Sequence, residues 1–445
     1  MRLRFSSREG IGFIGLVVFR LLLDWVYFNI ISPIYAYSGF VDNRNTQNLV
    51  LSWGIFILFY LFMRRILYCE QEGILHVIIS ILYLLSFIPF TSSIYAGITP
   101  ASFILCNSLY WIVLIVASAY ALQLPKKRLP KVVLSNLEIN DRFVAIVGII
   151  SLVVVVYVSG RYTGFRLNFN LFTVYDLRLE AREFGMPTLV TYLFAWTKAV
   201  NTLMLAFCLI KNKKLMAILY FAIQMLSFGI DGSKSTFFLP FLVLLVVKLY
   251  DRITVGKLKM LFYYGAAGGT LLAIAEKVFV NSIYLTSLFI RRVLYVPSIL
   301  NVYYFDYFTS HEPDLFRGSF LRLLGAVSPY SVDGGISRMI GKVYYGSSTM
   351  NCNNGLLSDA ISNLGYFGIF IMPIVIVFFL HLLDRSTYGL DKRLVLVSGV
   401  FIALNLISTS FMTVLITHGF LLIILLTWAM KPEDLFSPKA MLEVN

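Results

Sequence analysis

Long apolar runs, broken only by short polar stretches, restrict the fold of this chain more than any other feature. The run FVAIVGIISLVVVVYVSG at 143–160, for example, contains no charged residue. A helix crosses the hydrocarbon core of a bilayer with roughly 20 apolar residues, and its backbone satisfies its own hydrogen bonds there. The chain is 59% hydrophobic and only 13% charged, which is more apolar surface than a soluble protein can bury. We therefore predict an all-α polytopic membrane protein, with residues 1–445 forming a single integral membrane domain.

Twelve of these runs are predicted to be transmembrane helices. The seventh and eighth, at about 16 residues each, are short for a full crossing. They could tilt, could thin the bilayer, or could form one hairpin that does not fully cross. The predicted spans are 11–35, 48–67, 73–92, 102–122, 143–160, 188–210, 214–229, 235–250, 258–277, 364–383, 393–409 and 412–430.

Lysine and arginine in the short loops orient these spans, because basic loops are retained on the cytoplasmic side. If the N-terminus is cytoplasmic, the basic loops at 63–65, 125–131, 211–214, 248–259 and 384–393 all lie on that side. We therefore predict that both termini are cytoplasmic.

Two large segments then face the opposite, periplasmic side. The first is a loop at 161–187 that includes a short helix. The second, 278–363, is too long for a simple connection and contains an aromatic-rich stretch, 284–308, suited to helices lying at the membrane interface.

The sequence TVYDLRLEAREFGMP at 173–187 is unusually charged for such an apolar chain. Thr173 and Asp176 match a capping box and Gly185 precedes a proline, so we predict a helix over 174–184. At about 100° per residue, Arg178 and Arg182 share one side of this helix and its carboxylates lie on the other. Such an arginine pair suits an external phosphate, although a solvated surface helix would show the same pattern.

Further candidate ligands lie in the outer segments. Basic residues predicted to contact an anion are Arg161, Arg166, Lys234, Arg291, Arg292, Arg317 and Arg322. Arg291 and Arg292 could equally anchor an interfacial helix. Asn354, Asp359 and Asn363 lie at the outer boundary of the tenth span, where they could hold sugar hydroxyls or cap helices.

Several outer side chains could act as a proton acceptor, and the sequence does not choose among them. His311 and Asp359 are candidates, and the others are Asp306, Glu312, Asp314 and Asp333. Within the spans, Arg20 and Asp24 are one helical turn apart and are predicted to pair, whereas Lys198 has no partner in sequence.

Composition also argues against other classes of ligand. The net charge of +14 is scattered among apolar spans rather than collected in one domain, which favours anionic lipids and an anionic substrate over nucleic acid. The four cysteines show no paired or histidine spacing, so we expect no metal site. No cofactor is expected.

Four stretches make the chain resemble the Wzy-type oligosaccharide repeat unit polymerases of bacterial O-antigen and capsule assembly. They are YDLRLEAREFGMPTLVTYLF (175–194), GSKS (232–235), RRVLYVPSILNVYYFDYF (291–308) and NNGLLSDAISNLGYFGIF (353–370). In order and spacing, the similarity covers about 140–430.

The resemblance implies a glycosyltransferase of the bacterial inner membrane that acts on glycan repeat units linked to undecaprenyl pyrophosphate. It would move the growing chain from its lipid carrier onto an incoming unit at the periplasmic side. On this basis we expect Arg178, Arg182, Arg291 and Arg292 to clamp the pyrophosphate. Asn301 and Tyr303 belong to the same matching stretches and are predicted to bind substrate.

The resemblance also implies partners besides membrane lipids, namely a chain-length regulator and a flippase of the same pathway. Two alternative functions stay open. A flippase for lipid-linked oligosaccharide would need a charged path through the bilayer, and only Arg20, Asp24 and Lys198 lie well inside spans. An O-antigen ligase would be expected to show a more prominent histidine site in an outer loop.

Overall fold

The computed structural model describes residues 7–70, 73–125, 127–129, 141–167, 174–250 and 255–430, and within these ranges all regular secondary structure is helical. Nine helices in the described ranges are long and apolar enough to cross a membrane. The prediction of an all-helical, membrane-embedded protein is therefore confirmed. These helices are α1 (Ser7–Ser38), α2 (Thr46–Leu67), α3 (Leu75–Tyr95), α4 (Ala101–Ala121), α5 (Arg142–Thr163), α7 (Thr188–Ile210), α8 (Lys214–Asp231), α10 (Gly256–Val280) and α13 (Leu357–Thr387).

Shorter helices complete the described chain. They are α6 (Val174–Glu183), α9 (Lys234–Tyr250), α11 (Val296–Phe308), α12 (Ile336–Tyr345), α14 (Lys392–Ser408) and α15 (Phe420–Ala429). A π-helix, Thr286–Tyr295, leads into α11, and another, Thr413–Thr417, precedes α15.

The three remaining predicted spans correspond to α9, α14 and the segment that ends with α15. Each of these helices has 17 residues or fewer. The count of twelve crossings therefore stays a prediction, as does the position of the termini.

Helix α3 is the central element, and a buried polar network ties it to its neighbours. Its most apolar window is 94% buried. Arg20 of α1 pairs with Asp24, as predicted from their spacing, and its Nε also donates to Thr91 of α3 at 2.9 Å. Ser92 donates to Asp24 at 2.6 Å and bonds the Tyr295 hydroxyl at 2.7 Å. A buried ion pair is tolerated in such a site only when its remaining donors and acceptors are satisfied in this way.

Basic loops that the sequence places on one side of the membrane do meet at one end of the helical bundle. Their charged side chains satisfy backbone groups exposed at helix ends. Lys259 donates to the Cys69 carbonyl, Arg128 donates to the Tyr388 carbonyl, and Asp384 accepts from the Leu75 amide. Arg64 instead pairs with the Glu9 side chain.

The opposite end carries the long segment between α10 and α13. Helix α11, the second half of the aromatic stretch predicted to lie at the interface, is mostly buried within the protein. The chain after it is pinned to the first turns of α13, because the Asp314 amide donates to the Ser362 carbonyl at 2.7 Å and the Leu315 amide donates to the Asn363 carbonyl at 3.0 Å. This pinning positions a polar cavity.

Candidate functional site

A cavity of about 660 Å³ lies between the segment 313–337, the start of α13 and the connection from α14 to the π-helix Thr413–Thr417. Two arginines, Arg317 and Arg322, line it together with two carboxylates, Asp314 and Asp359. Most of the other lining side chains are amides and hydroxyls. They are Asn353, Asn354, Asn363, Ser319, Ser328, Ser331, Ser337, Ser362, Thr409, Ser410 and Thr413.

Strained backbone surrounds this cavity. Leu315 and Phe316 have φ of 53° and 60°, and Leu356, just before α13, has φ of 51°. Bulky residues in the left-handed region cost about 1–3 kcal/mol each and occur preferentially at functional sites. The π-helix Thr413–Thr417 is a second irregular feature that is frequent at such sites. Both features support a functional role for this cavity.

Two buried acceptor oxygens of the cavity receive no hydrogen bond within the described part of the chain. Asp314 is 1% exposed, and its Oδ2 accepts the Gly318 amide at 2.7 Å. Its Oδ1, like Oδ1 of Asn354, receives no hydrogen bond from any residue that the structure describes. A buried acceptor without a donor costs about 1–3 kcal/mol. A ligand that carries hydroxyl groups would supply the missing donors.

Asn354, Asp359 and Asn363, predicted from sequence as a polar group at the outer boundary, do line one cavity. Asn363 Nδ2 donates to Asp359 Oδ1 at 2.9 Å, and the Phe411 amide donates to Asp359 Oδ2 at 2.8 Å. Asn301 lies behind them and accepts from Asn354 Nδ2 at 3.0 Å. Both Asp359 oxygens thus already accept a hydrogen bond, whereas Asp314 Oδ1 receives none from the described residues.

The two arginines of the cavity differ in how firmly they are held. Arg317 donates to the Asp314 carbonyl at 2.8 Å and to the Pro313 carbonyl at 3.0 Å, and it faces Glu312. Arg322 is exposed, and its side chain makes no hydrogen bond or ion pair with any residue in the described ranges. Its guanidinium group is available to an anion.

The predicted arginine helix lies elsewhere. Helix α6 spans Val174–Glu183, within one residue of the predicted bounds, and packs against α8; Thr173 lies outside the described residues. Arg166 forms a two-fold hydrogen bond with Glu180 at 2.8 and 3.2 Å, so its charge is neutralised by that helix. Arg178 is half-buried and takes part in at least one polar or ring contact. The side chain of Arg182 lies outside the described residues.

No residue of 161–187 is among the described residues that line the cavity. Arg161, also in this segment, is exposed and lies against the ring of Tyr162, 5.7 Å from its centroid. The described part of the first outer segment therefore does not contribute to the polar cavity.

Arg291, Arg292 and Tyr303 belong to a third group, near the end of α1. The Arg291 guanidinium lies 4.3 Å from the centroid of the Tyr35 ring, and Tyr303 stacks on Tyr344 at 4.3 Å. Arg292 is exposed. These residues do not line the cavity, and the cation–π contact fits the anchoring role that the sequence left open for Arg291.

The remaining candidate bases also lie outside the cavity. His311 is exposed and stacks on Tyr307 at 3.8 Å. Asp333 accepts from Lys342 at 2.6 Å, and this hydrogen bond raises the pKa of the Lys342 amine. Asp306 accepts from the Tyr344 hydroxyl. Glu312 faces Arg317 at 3.5 Å, with most of its side chain in solvent.

The turn GIDGSKS at 229–235, which contains the candidate Lys234, makes a contact within the helical bundle. Asp231 at the end of α8 pairs with Lys198 of α7, the intramembrane lysine that has no partner in sequence. The Lys234 side chain lies outside the described residues. Among described residues, no group of three or more histidine, cysteine or acidic side chains could hold a metal ion.

The sequence did not distinguish Asp314 from the other candidate acids. Its distinguishing features, burial and an Oδ1 that receives no hydrogen bond from the described residues, arise only from tertiary structure. The only local signal is the spacing in DLFRG at 314–318, where an aspartate can cap the amide of a following glycine.

The chain matches no protein-family model, and comparisons with curated proteins and with solved structures find no similar protein. The class that the fold defines is a polytopic helical membrane protein. The site adds a polar cavity with arginines, carboxylates and hydroxyls at one end of the bundle.

Proposed function

We propose that this protein is a membrane glycosyltransferase that polymerises oligosaccharide repeat units carried on undecaprenyl pyrophosphate, as the resemblance to Wzy-type polymerases implies. One observation carries the proposal. Among the described residues, two buried acceptor oxygens that receive no hydrogen bond, Asp314 Oδ1 and Asn354 Oδ1, share a cavity with Arg322, whose guanidinium group has no partner there. Sugar hydroxyls supply donors to the acceptors, and a pyrophosphate supplies negative charge to the arginine.

The reaction at this site would be a single displacement. The acceptor hydroxyl of the incoming unit attacks the anomeric carbon of the growing chain, and Asp314 Oδ1 takes the hydroxyl proton. The bond between the anomeric carbon and the pyrophosphate oxygen breaks, and lipid pyrophosphate leaves. Arg322 and Arg317 meet the charge that develops on the leaving group, which is usually the largest contribution to catalysis. The chain grows by one unit.

This proposal assigns different roles to some of the residues predicted from sequence. Arg317, Arg322, Asn354, Asp359 and Asn363 line the cavity. Arg178, Arg291 and Arg292 are not among the described residues that line it, and the side chain of Arg182 lies outside the described residues. They serve in our proposal as outer contacts for lipid headgroups or for the glycan, rather than as the clamp on the reacting bond.

The proposed setting is the bacterial inner membrane, with twelve crossings and both termini in the cytoplasm. The clustering of basic loops at one end of the bundle and of the cavity at the other supports this orientation. The glycan of the substrate then faces the periplasm, where a chain-length regulator and a flippase of the same pathway would be the partners.

A flippase is the second candidate, and the described charges within spans argue against it. Arg20 pairs with Asp24 and Lys198 pairs with Asp231. Paired charges do not line a path for a glycan through the bilayer.

The test supplies purified full-length protein with synthetic undecaprenyl-pyrophosphate repeat units. A ladder of lengthened, lipid-linked products is expected. Sealed vesicles with substrate in one leaflet distinguish the alternative, since a flippase would transfer unchanged substrate to the other leaflet. If thermal denaturation shows that the protein is folded and the substrate is nevertheless unchanged in the first assay, the proposed polymerase activity is refuted.

A further inference from the structure

A second opening, the lateral cleft, adjoins the polar cavity. It has a volume of about 420 Å³. Its walls come from the start of α7, from the outer segment and from the π-helix region, and they include Thr188, Tyr192, Phe320, Arg322, Met412 and Ile416. Thr188 and Met412 begin predicted spans, so the cleft lies where the protein enters the membrane.

The cleft and the polar cavity adjoin each other. Gly318, Ser319, Arg322 and Thr413 line both. A ligand bound at these shared residues would face both spaces, and the guanidinium group of Arg322 has no hydrogen-bond or ionic partner among the described residues.

The chemistry of the walls changes across these shared residues. The carboxylates and amides line only the cavity, whereas the residues that line only the cleft are Thr188, Tyr192, Phe320, Met412, Ile416 and Thr417. Phe320 is 45% exposed and Leu324, one turn further, is 77% exposed. Large exposed apolar side chains beside a groove mark contact with lipid or with another apolar surface. The order of polar group, cation and apolar wall matches a sugar, a phosphate and a hydrocarbon chain.

We propose that the lateral cleft holds the first isoprenoid units of the lipid carrier, with Arg322 bound to the phosphate where chain and headgroup meet. The inference rests on the proposed function, because that function supplies a polyprenyl pyrophosphate as substrate. It adds the route by which the carrier enters from the bilayer, between α7 and the π-helix Thr413–Thr417. Ordinary anionic phospholipids share the phosphate but not the branched chain.

Farnesyl pyrophosphate and inorganic pyrophosphate test the cleft, because they differ only in the presence of three isoprenoid units. Binding of each to the purified full-length protein is measured by calorimetry in detergent. The wild type should bind the farnesyl compound at least tenfold more tightly. Ile416→Trp fills the cleft and should abolish this preference while leaving the affinity for inorganic pyrophosphate unchanged. Arg322→Gln should weaken both ligands.

Ile374→Trp is the matched control, since Ile374 is 54% exposed on α13 and lines neither opening. This variant should retain the farnesyl preference. A phospholipid competitor, phosphatidylglycerol, should displace farnesyl pyrophosphate poorly.

The inference is overturned if the wild type shows no preference for the farnesyl compound, if Ile416→Trp keeps that preference, or if phosphatidylglycerol competes equally. The polymerisation assay on the same preparations separates the two proposals. If polymer forms but the protein shows no preference for farnesyl pyrophosphate, the cleft does not bind the lipid carrier and the proposed polymerase function stands. If the preference for farnesyl pyrophosphate depends on Ile416 but no polymer forms, the cleft is a lipid-phosphate site and the proposed polymerase function is refuted.

Discussion

Replacing Asp314 by asparagine tests the proposed chemistry directly. The side chain is buried, and its Oδ2 accepts the Gly318 amide at 2.7 Å while its Oδ1 has no donor among the described residues. The asparagine carbonyl can accept the same amide proton, so the turn at 314–318 is retained. Because a single hydrogen bond contributes about 1 kcal/mol, folding stability should change by no more than about that amount.

The expected effect on catalysis is much larger. The asparagine nitrogen takes the place of Oδ1 and cannot accept the proton of a sugar hydroxyl. A general base contributes about 10²–10⁴-fold to rate, which corresponds to about 3–5 kcal/mol of activation free energy. Asp314→Asn should therefore reduce the rate of polymer formation by this factor.

The assay is the initial rate of chain extension by purified protein on a synthetic lipid-linked repeat unit, with thermal denaturation as the measure of folding. Asp333→Asn is the matched control, because it makes the same change in the same outer segment at an exposed ion pair with Lys342. Exposed pairs contribute about 0–1 kcal/mol, and this variant should keep near-normal activity. A folded Asp314→Asn protein with activity within threefold of wild type would refute the reasoning.

Three further predictions concern the arginines. Arg322→Gln should lower polymer formation by about 10²–10³-fold, the usual loss for one donor to developing negative charge, with unchanged expression; wild-type rates would remove it from the site. Arg178→Ala and Arg182→Ala should each reduce polymer formation while leaving insertion intact, and full activity in both would exclude a substrate contact there. Arg20→Met should destabilise the protein by about 3–5 kcal/mol because it leaves Asp24 buried and unpaired, whereas the double variant with Asp24→Leu should recover most of this loss in thermal denaturation.

Local sequence determined the class of this protein and several of its parts. Apolar runs long enough to cross a bilayer must form helices, because a helix satisfies all its backbone hydrogen bonds within one segment of chain in lipid. The same local logic placed the helix Val174–Glu183 and the pair of Arg20 and Asp24, since residues four apart meet on one helix face whatever else surrounds them.

Only the tertiary structure decided which polar residues form a site. Asp314 of the outer segment, Asn354 and Thr409 come from separate parts of the chain and meet because that segment is pinned to α13. Arg166, free to bind substrate as far as the sequence shows, meets Glu180 instead. Contacts between residues distant in sequence leave no periodic pattern, because they depend on how whole helices pack. The sequence therefore identifies the basic residues of this protein, and only the packing of the helices shows which of them are already paired with a carboxylate.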